Sequence, residues 1–164
     1  MNPVVHSLIA ALALGLSLPA MSDDAPHFSI AQVDYLERCG GCHGIEGVSA
    51  RMLVPTLRHR AGYFLCTRSA REYLARLPSI ATSPLSDEAV AAMMNFVVFD
   101  MGDGTRLAPE AQLFSAAEIH LLRRSPLNEV ALSAYRAGVV EDLIRHCGAP
   151  AALREYRPSA ATAQ

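Results

Sequence analysis

The chain reads as an all-α protein. Three observations carry that expectation. Apolar residues recur at helical spacing in several separate stretches, helix-capping residues precede those stretches, and no run shows the strict alternation of a strand. A composition 51% hydrophobic and 18% charged over 164 residues is that of a globular chain, one domain or a small domain with an appendage. No internal repeat is visible.

The first 22 residues carry no ionised side chain, and Leu8 to Leu18 is a largely apolar run of eleven residues. That run is too short to span a bilayer and has the length of an export signal's apolar core. Ala20 and Ser22 then place small residues ahead of Asp23, so 1–22 is expected to be a signal peptide cleaved after Ser22. The segment departs from the usual pattern in having His6 but no Lys or Arg before its apolar run; an apolar first helix or an uncleaved anchor is the alternative. No later segment approaches a membrane span, so the mature chain is expected to be soluble, periplasmic and without stable membrane insertion.

From Ser29, a capping residue, Ile30, Val33, Tyr35 and Leu36 follow a helical pattern up to Cys39. Residues 40–68 are rich in Gly and read as loop. A short helix is expected from Arg68 to Leu77, stopped by Pro78. Ser86-Asp87-Glu88 opens the clearest helix, with Val90, Met93, Met94 and Val97 on one side and an end near Phe99. Ser115 with Glu118 forms a capping-box pattern for a helix limited by Pro126, and a last helix runs from about Asn128 to Cys147, closed by Gly148 and Pro150.

Net charge is −2, from 14 basic and 16 acidic residues, which argues against a nucleic-acid binder working through a strongly basic face. Every basic residue is Arg. The segment that carries chemistry is Cys39-Gly40-Gly41-Cys42-His43, a C-x-x-C-H motif that reads as a covalent c-type haem attachment site. Two thiols three residues apart at a helix end can both reach the haem vinyl groups, and the adjacent imidazole then meets the iron as its proximal ligand. Gly at both intervening positions lets the backbone lie close to the macrocycle. A thioredoxin-like reading would need a strand before the motif, and a zinc site would need two more nearby ligands; Cys66 and Cys147 are remote in sequence. The predicted cofactor is therefore one covalent haem c held by Cys39, Cys42 and His43, with His43 on the metal.

Beyond the motif, the sequence resembles the class I cytochrome c family over residues 27–99. Tyr35 lies four positions before the first Cys, where that family carries an aromatic residue. Pro55-Thr56-Leu57 matches its P-x-L stretch, and Gly62 follows. Leu85-Ser86-Asp87-Glu88-Ala89-Val90 through Phe96 is similar to its final helix. The resemblance implies a class I cytochrome c-like haem domain with a helical C-terminal extension over 100–164. It further implies that the Pro55 carbonyl orients the His43 ring and that Phe96 packs near Tyr35. One departure stands out. The family usually supplies a Met as second axial ligand from the loop before its final helix, and here residues 77–84 contain no Met, His or Lys. Either the sixth position is open, or Met101 supplies it in an alternative alignment. Met93 and Met94 read most simply as core residues on an amphipathic helix, while Met52 fits loop packing and a ligand role equally.

Six Arg and one acid, Glu72, lie between Arg51 and Arg76. On the family's layout this stretch borders the haem pocket, so Arg51, Arg58 or Arg60 can pair with haem propionates, or the stretch can steer an acidic docking face of a redox partner. His59 is expected near the haem edge or in solvent. The remaining cysteines, Cys66 and Cys147, form a candidate disulfide tying the extension to the core. The functional expectation is a periplasmic monohaem electron carrier, not an enzyme, for a periplasmic dehydrogenase or oxidase. The alternatives are a five-coordinate haem protein that binds a small gas or acts as a sensor, and a haem subunit of a larger dehydrogenase complex.

Overall fold

The structure, a computed structural model, describes residues 27–49, 54–128 and 132–155. Among the described residues every regular element is helical and none is a strand, so the fold is all-α. The expected signal peptide, 1–22, lies outside the described residues, as does Met52.

Helix α1 (Ile30–Tyr35) starts where Ser29 places it. The Ser29 hydroxyl accepts from the Gln32 amide, and the Gln32 side chain accepts in turn from the Ser29 amide. The chain continues through a widened, π-type turn (Leu36–Gly40) into α2 (Gly41–His43), so the helix runs beyond Cys39 and carries the whole C-x-x-C-H motif. It stops at Gly44, whose φ of +82° is left-handed; a Cβ there would sit 2.3 Å from the Val48 carbonyl oxygen. The Tyr35 hydroxyl donates to the Gly44 carbonyl at 2.6 Å, bracing this end against the helix that leads to it.

Inside the expected loop, Ala61–Leu65 forms a 3-10 turn. Helix α3 (Arg68–Ala75) is capped by Thr67, whose hydroxyl accepts from the Ala70 amide. It ends before Pro78, which instead opens the short α4 (Pro78–Ala81), at the position where its missing N–H costs least. Helix α5 (Asp87–Asn95) begins at its Ser86 cap and carries on through a second widened turn (Phe96–Met101), past the expected end. The sequence gives no warning of α6 (Gly104–Leu107). Helix α7 (Ala116–Arg123) has Ser115 as its cap. The Glu118 carboxylate, expected to reach back to Ser115, is held by Arg71 at 2.6 and 2.8 Å. Helix α8 (Leu132–Cys147) and a 3-10 turn (Ala151–Arg154) complete the described chain.

Residues beyond 100 share the core of those before it. Phe114 and Ile119 lie in one apolar cluster with Val90, Met94 and Val98, and Val140, Leu143 and Leu153 lie in another with Phe64 and Tyr73. Arginines fasten the seam. Arg71 sits 3.7 Å above the Phe114 ring as well as on Glu118. Arg123 donates to the carbonyls of Ala81, Ser83 and Leu85 and pairs with Asp87. A disulfide joins Cys66 to Cys147, 81 residues apart. The pairing that the sequence left open is made.

Candidate functional site

With Cys66 and Cys147 bonded to each other, Cys39 and Cys42 are free thiols. Cys39 is half-buried and Cys42 exposed. Burial, reinforced by the neighbouring Cys42, pushes the Cys39 thiol pKa up, so its ordinary form is the neutral thiol. The next residue, His43, is half-buried at the end of α2. Burial lowers its pKa, which keeps the imidazole neutral. Its Nδ1 lies 2.8 Å from the Pro55 carbonyl oxygen. A carbonyl only accepts, so Nδ1 carries the proton and Nε2 keeps its lone pair, the state a metal requires.

Cys39 and His43 line one side of a cavity of about 500 Å³. Its walls are mostly apolar, with Leu57, Phe64, Leu77, Ile80, Met93 and Val97 among them. Helix α5 reaches it because the pattern that buries Val90 and Val98 also turns Met93, Met94 and Val97 inward. A volume of this size lies in the range of cofactor and ligand cavities. Thr56 also lines it, and its hydroxyl is buried without a hydrogen-bond partner. A smaller cleft of about 270 Å³, beside Ser29 and Phe99, has neither cysteine nor histidine in its wall.

The structure distributes the other residues singled out by sequence as follows. Tyr35 and Phe96 meet edge to face. Met101 is buried against Tyr35 and Met93, beneath Gly47, and is not part of the cavity wall. His59 is exposed and its Nδ1 lies 2.8 Å from Asp103. Arg58 reaches Glu46 while Arg60 lines the cavity; Arg51 lies outside the described residues. The positive stretch is also less available than its sequence implies. Arg68 pairs with Glu72 and Arg71 with Glu118, and Arg76 donates to the Ser125 carbonyl.

Sequence reasoning missed the contribution of the chain's last third. Leu132, Ser133, Arg136, Leu153 and Glu155 all border the cavity. The signal for it was Arg136, which interrupts an otherwise apolar face of α8 formed by Leu132, Val139, Val140 and Leu143.

No family model matches the chain, and no solved structure matches it. Among the described residues no helix is long and apolar enough to cross a membrane. Nor do three or more His, Cys, Asp or Glu side chains among them converge to hold a metal ion, which leaves the zinc reading without its further ligands.

Proposed function

We propose that the protein is a c-type cytochrome that holds one haem covalently through Cys39 and Cys42, with His43 as the proximal iron ligand, and carries electrons in the periplasm. The observation that carries this reading is the joint arrangement of the C-x-x-C-H motif. The Cys39 thiol and a neutral imidazole with its Nδ1 held by Pro55 stand at an apolar cavity, the free thiol of Cys42 is exposed on the same turn, and the other two cysteines are consumed in a disulfide. The donor set fits a haem: thiols for the vinyl groups, a nitrogen lone pair for the iron, and apolar walls for the macrocycle faces. Bound there, the group would supply reversible one-electron exchange at its iron. The chain's own part is to fix the imidazole through Pro55, to exclude water with α5 and the 77–80 segment, and to brace the motif through Tyr35. The likeness to class I cytochromes c supports the same reading, and the disulfide agrees with an oxidising compartment.

Expression of the full chain with a cytochrome c maturation system tests it. The purified protein should carry the mass of one haem that survives denaturation, and Cys39→Ser with Cys42→Ser should abolish that mass. A wild-type chain that matures without any covalent haem overturns the proposal.

A second reading is favoured by the position of Met101. With that sulfur outside the cavity wall, and with Leu77, Ser79 and Ile80 as the contribution of the loop before α5, a haem held by His43 would have a position free for a small neutral ligand such as CO unless Met93 or Met94, which line the same wall, supplied it. Rapid CO binding to the ferrous protein supports this form; a six-coordinate spectrum unmoved by CO eliminates it.

A further inference from the structure

We propose that Arg136, on the helix beyond residue 100, and Arg60, on the loop after the motif, together receive the carboxylate edge of the haem. On this view α8 is a wall of the cofactor site. The inference rests on the covalent-haem reading above.

Helix α8 buries Val139, Val140 and Leu143 on one face, and Arg136 occupies the same face with only 7% of its surface exposed. Its Nη2 donates to the Leu153 carbonyl at 2.9 Å. From the opposite part of the chain, Arg60 Nη1 donates to the preceding carbonyl, Ala152, at 3.0 Å. Two like charges thus converge on successive residues of one 3-10 turn, and both line the cavity that Cys39 and His43 border. The other charged side chain in that wall is Glu155, which is exposed; Tyr73 is the remaining titratable group besides Cys39 and His43. The neighbouring Arg154 is taken up by Glu141 at 2.5 and 2.8 Å.

A cavity with apolar faces and two guanidiniums at its wall is suited to a flat apolar ligand bearing acids on one edge. Thioether bonds fix the vinyl edge of a haem at the cysteines, which leaves its two propionates to point away from them. Arg is the side chain whose planar fork matches carboxylate geometry. The Cys66–Cys147 disulfide and the apolar cluster around Leu143 hold the helix that delivers Arg136.

The test uses full-length holoprotein. Arg136→Gln should leave the covalent haem content unchanged, shift the midpoint potential downward by removing a cation near the iron, and move the propionate bending modes in the resonance Raman spectrum. Arg136→Lys should restore most of the potential. An Arg136→Gln protein with full haem content and unmoved potential and propionate modes overturns the inference while the covalent-haem reading stands. Absence of covalent haem from the wild type overturns both. Should the Gln variant fail to accumulate, the wild-type Raman spectrum decides: propionate modes of strongly hydrogen-bonded carboxylates sustain the inference, and those of solvent-exposed carboxylates overturn it.

Discussion

The rings of Tyr35 and Phe96 meet edge to face, with centroids 5.8 Å apart and an interplanar angle of 64°. One residue ends α1, the other opens the widened turn after α5, so this contact joins two helices 61 positions apart in sequence. An aromatic pair in this geometry adds about 1 kcal/mol beyond the area it buries. A double-mutant cycle with Tyr35→Leu and Phe96→Leu, read by denaturant unfolding, should therefore give a coupling energy of about 1 kcal/mol. Additive effects of the two substitutions would show that the rings merely fill space.

Tyr35 also gives the protein an alkaline limit. Its side chain is 1% exposed, and its pKa is pushed up from 10.0 to about 12, mainly by burial and secondarily by Cys39. The folded state thus keeps a proton that the unfolded chain releases near its ordinary pKa. Stability from this group is complete below pH 10 and is lost progressively as pH rises toward about 12. At 1.36 kcal/mol per pH unit the full loss is on the order of 2–3 kcal/mol. Tyr35→Phe removes the titration, so the stability difference between wild type and variant should shrink or reverse across that range. A difference independent of pH between 9 and 12 would refute the assignment.

The helices legible in the sequence were those with a local start signal. Ser29, Ser86 and Ser115 each cap the helix their spacing announces. Local signals do not reach across the chain, and this is where the reading fell short. Glu118 has the spacing of a capping-box partner, yet Arg71, 47 residues away, takes its carboxylate because a charge-assisted fork outcompetes a single amide. Pro78 looks like a terminator and is an N-terminal residue of α4, because proline suits both roles. In the candidate site, Cys39, Cys42 and His43 are contiguous and could be read directly, whereas Arg136 enters only through the tertiary packing of α8 on Phe64 and Tyr73. The arginines between 51 and 76 looked like a surface field, but Arg60, Arg71 and Arg76 reach groups contributed by the last third of the chain.

The disulfide closes a long segment, since Cys66 and Cys147 are 81 positions apart. In the chain-entropy description a loop of that length stabilises the fold by about 4–5 kcal/mol, and removal of a native bridge commonly costs about 2–5 kcal/mol. The Cys66→Ser, Cys147→Ser double variant should lose stability in that range in urea or thermal unfolding. A loss below about 1 kcal/mol would mean that the Arg71 and Arg123 contacts hold the last third in place without the bridge.

Met101 is 6% exposed and packs on Tyr35 and Met93; a Cβ at Gly47 would lie 2.2 Å from its sulfur. We expect a sulfur enclosed in this way to act as a packing group. The Met101→Leu substitution, close in volume, should cost less than about 1.5 kcal/mol and leave the ferric and ferrous spectra of the holoprotein unchanged. Loss of a Met–iron charge-transfer band in that variant would place the sulfur on the iron and contradict its position in the fold.

Two glycines should respond to the same substitution with opposite sign. Gly62 donates its amide to the Gly102 carbonyl at 2.9 Å, and this close crossing joins the 3-10 turn at 61–65 to the end of the widened turn after α5. A Cβ on Gly62 would fall 2.4 Å from the Gly102 oxygen and 2.6 Å from the Gly104 nitrogen. Both obstacles are backbone atoms that cannot rotate away, so the strands of chain must separate. Gly62→Ala should therefore destabilise the protein by about 2–3 kcal/mol or more. Gly138 lies within α8, is exposed, and a Cβ there would meet nothing within 4 Å. At that position alanine removes the entropic cost of glycine in a helix, and Gly138→Ala should stabilise by about 0.5–1 kcal/mol. Chemical denaturation of the two variants beside wild type checks both signs. A neutral Gly62→Ala would show that the crossing of the two segments is wider than 2.9 Å.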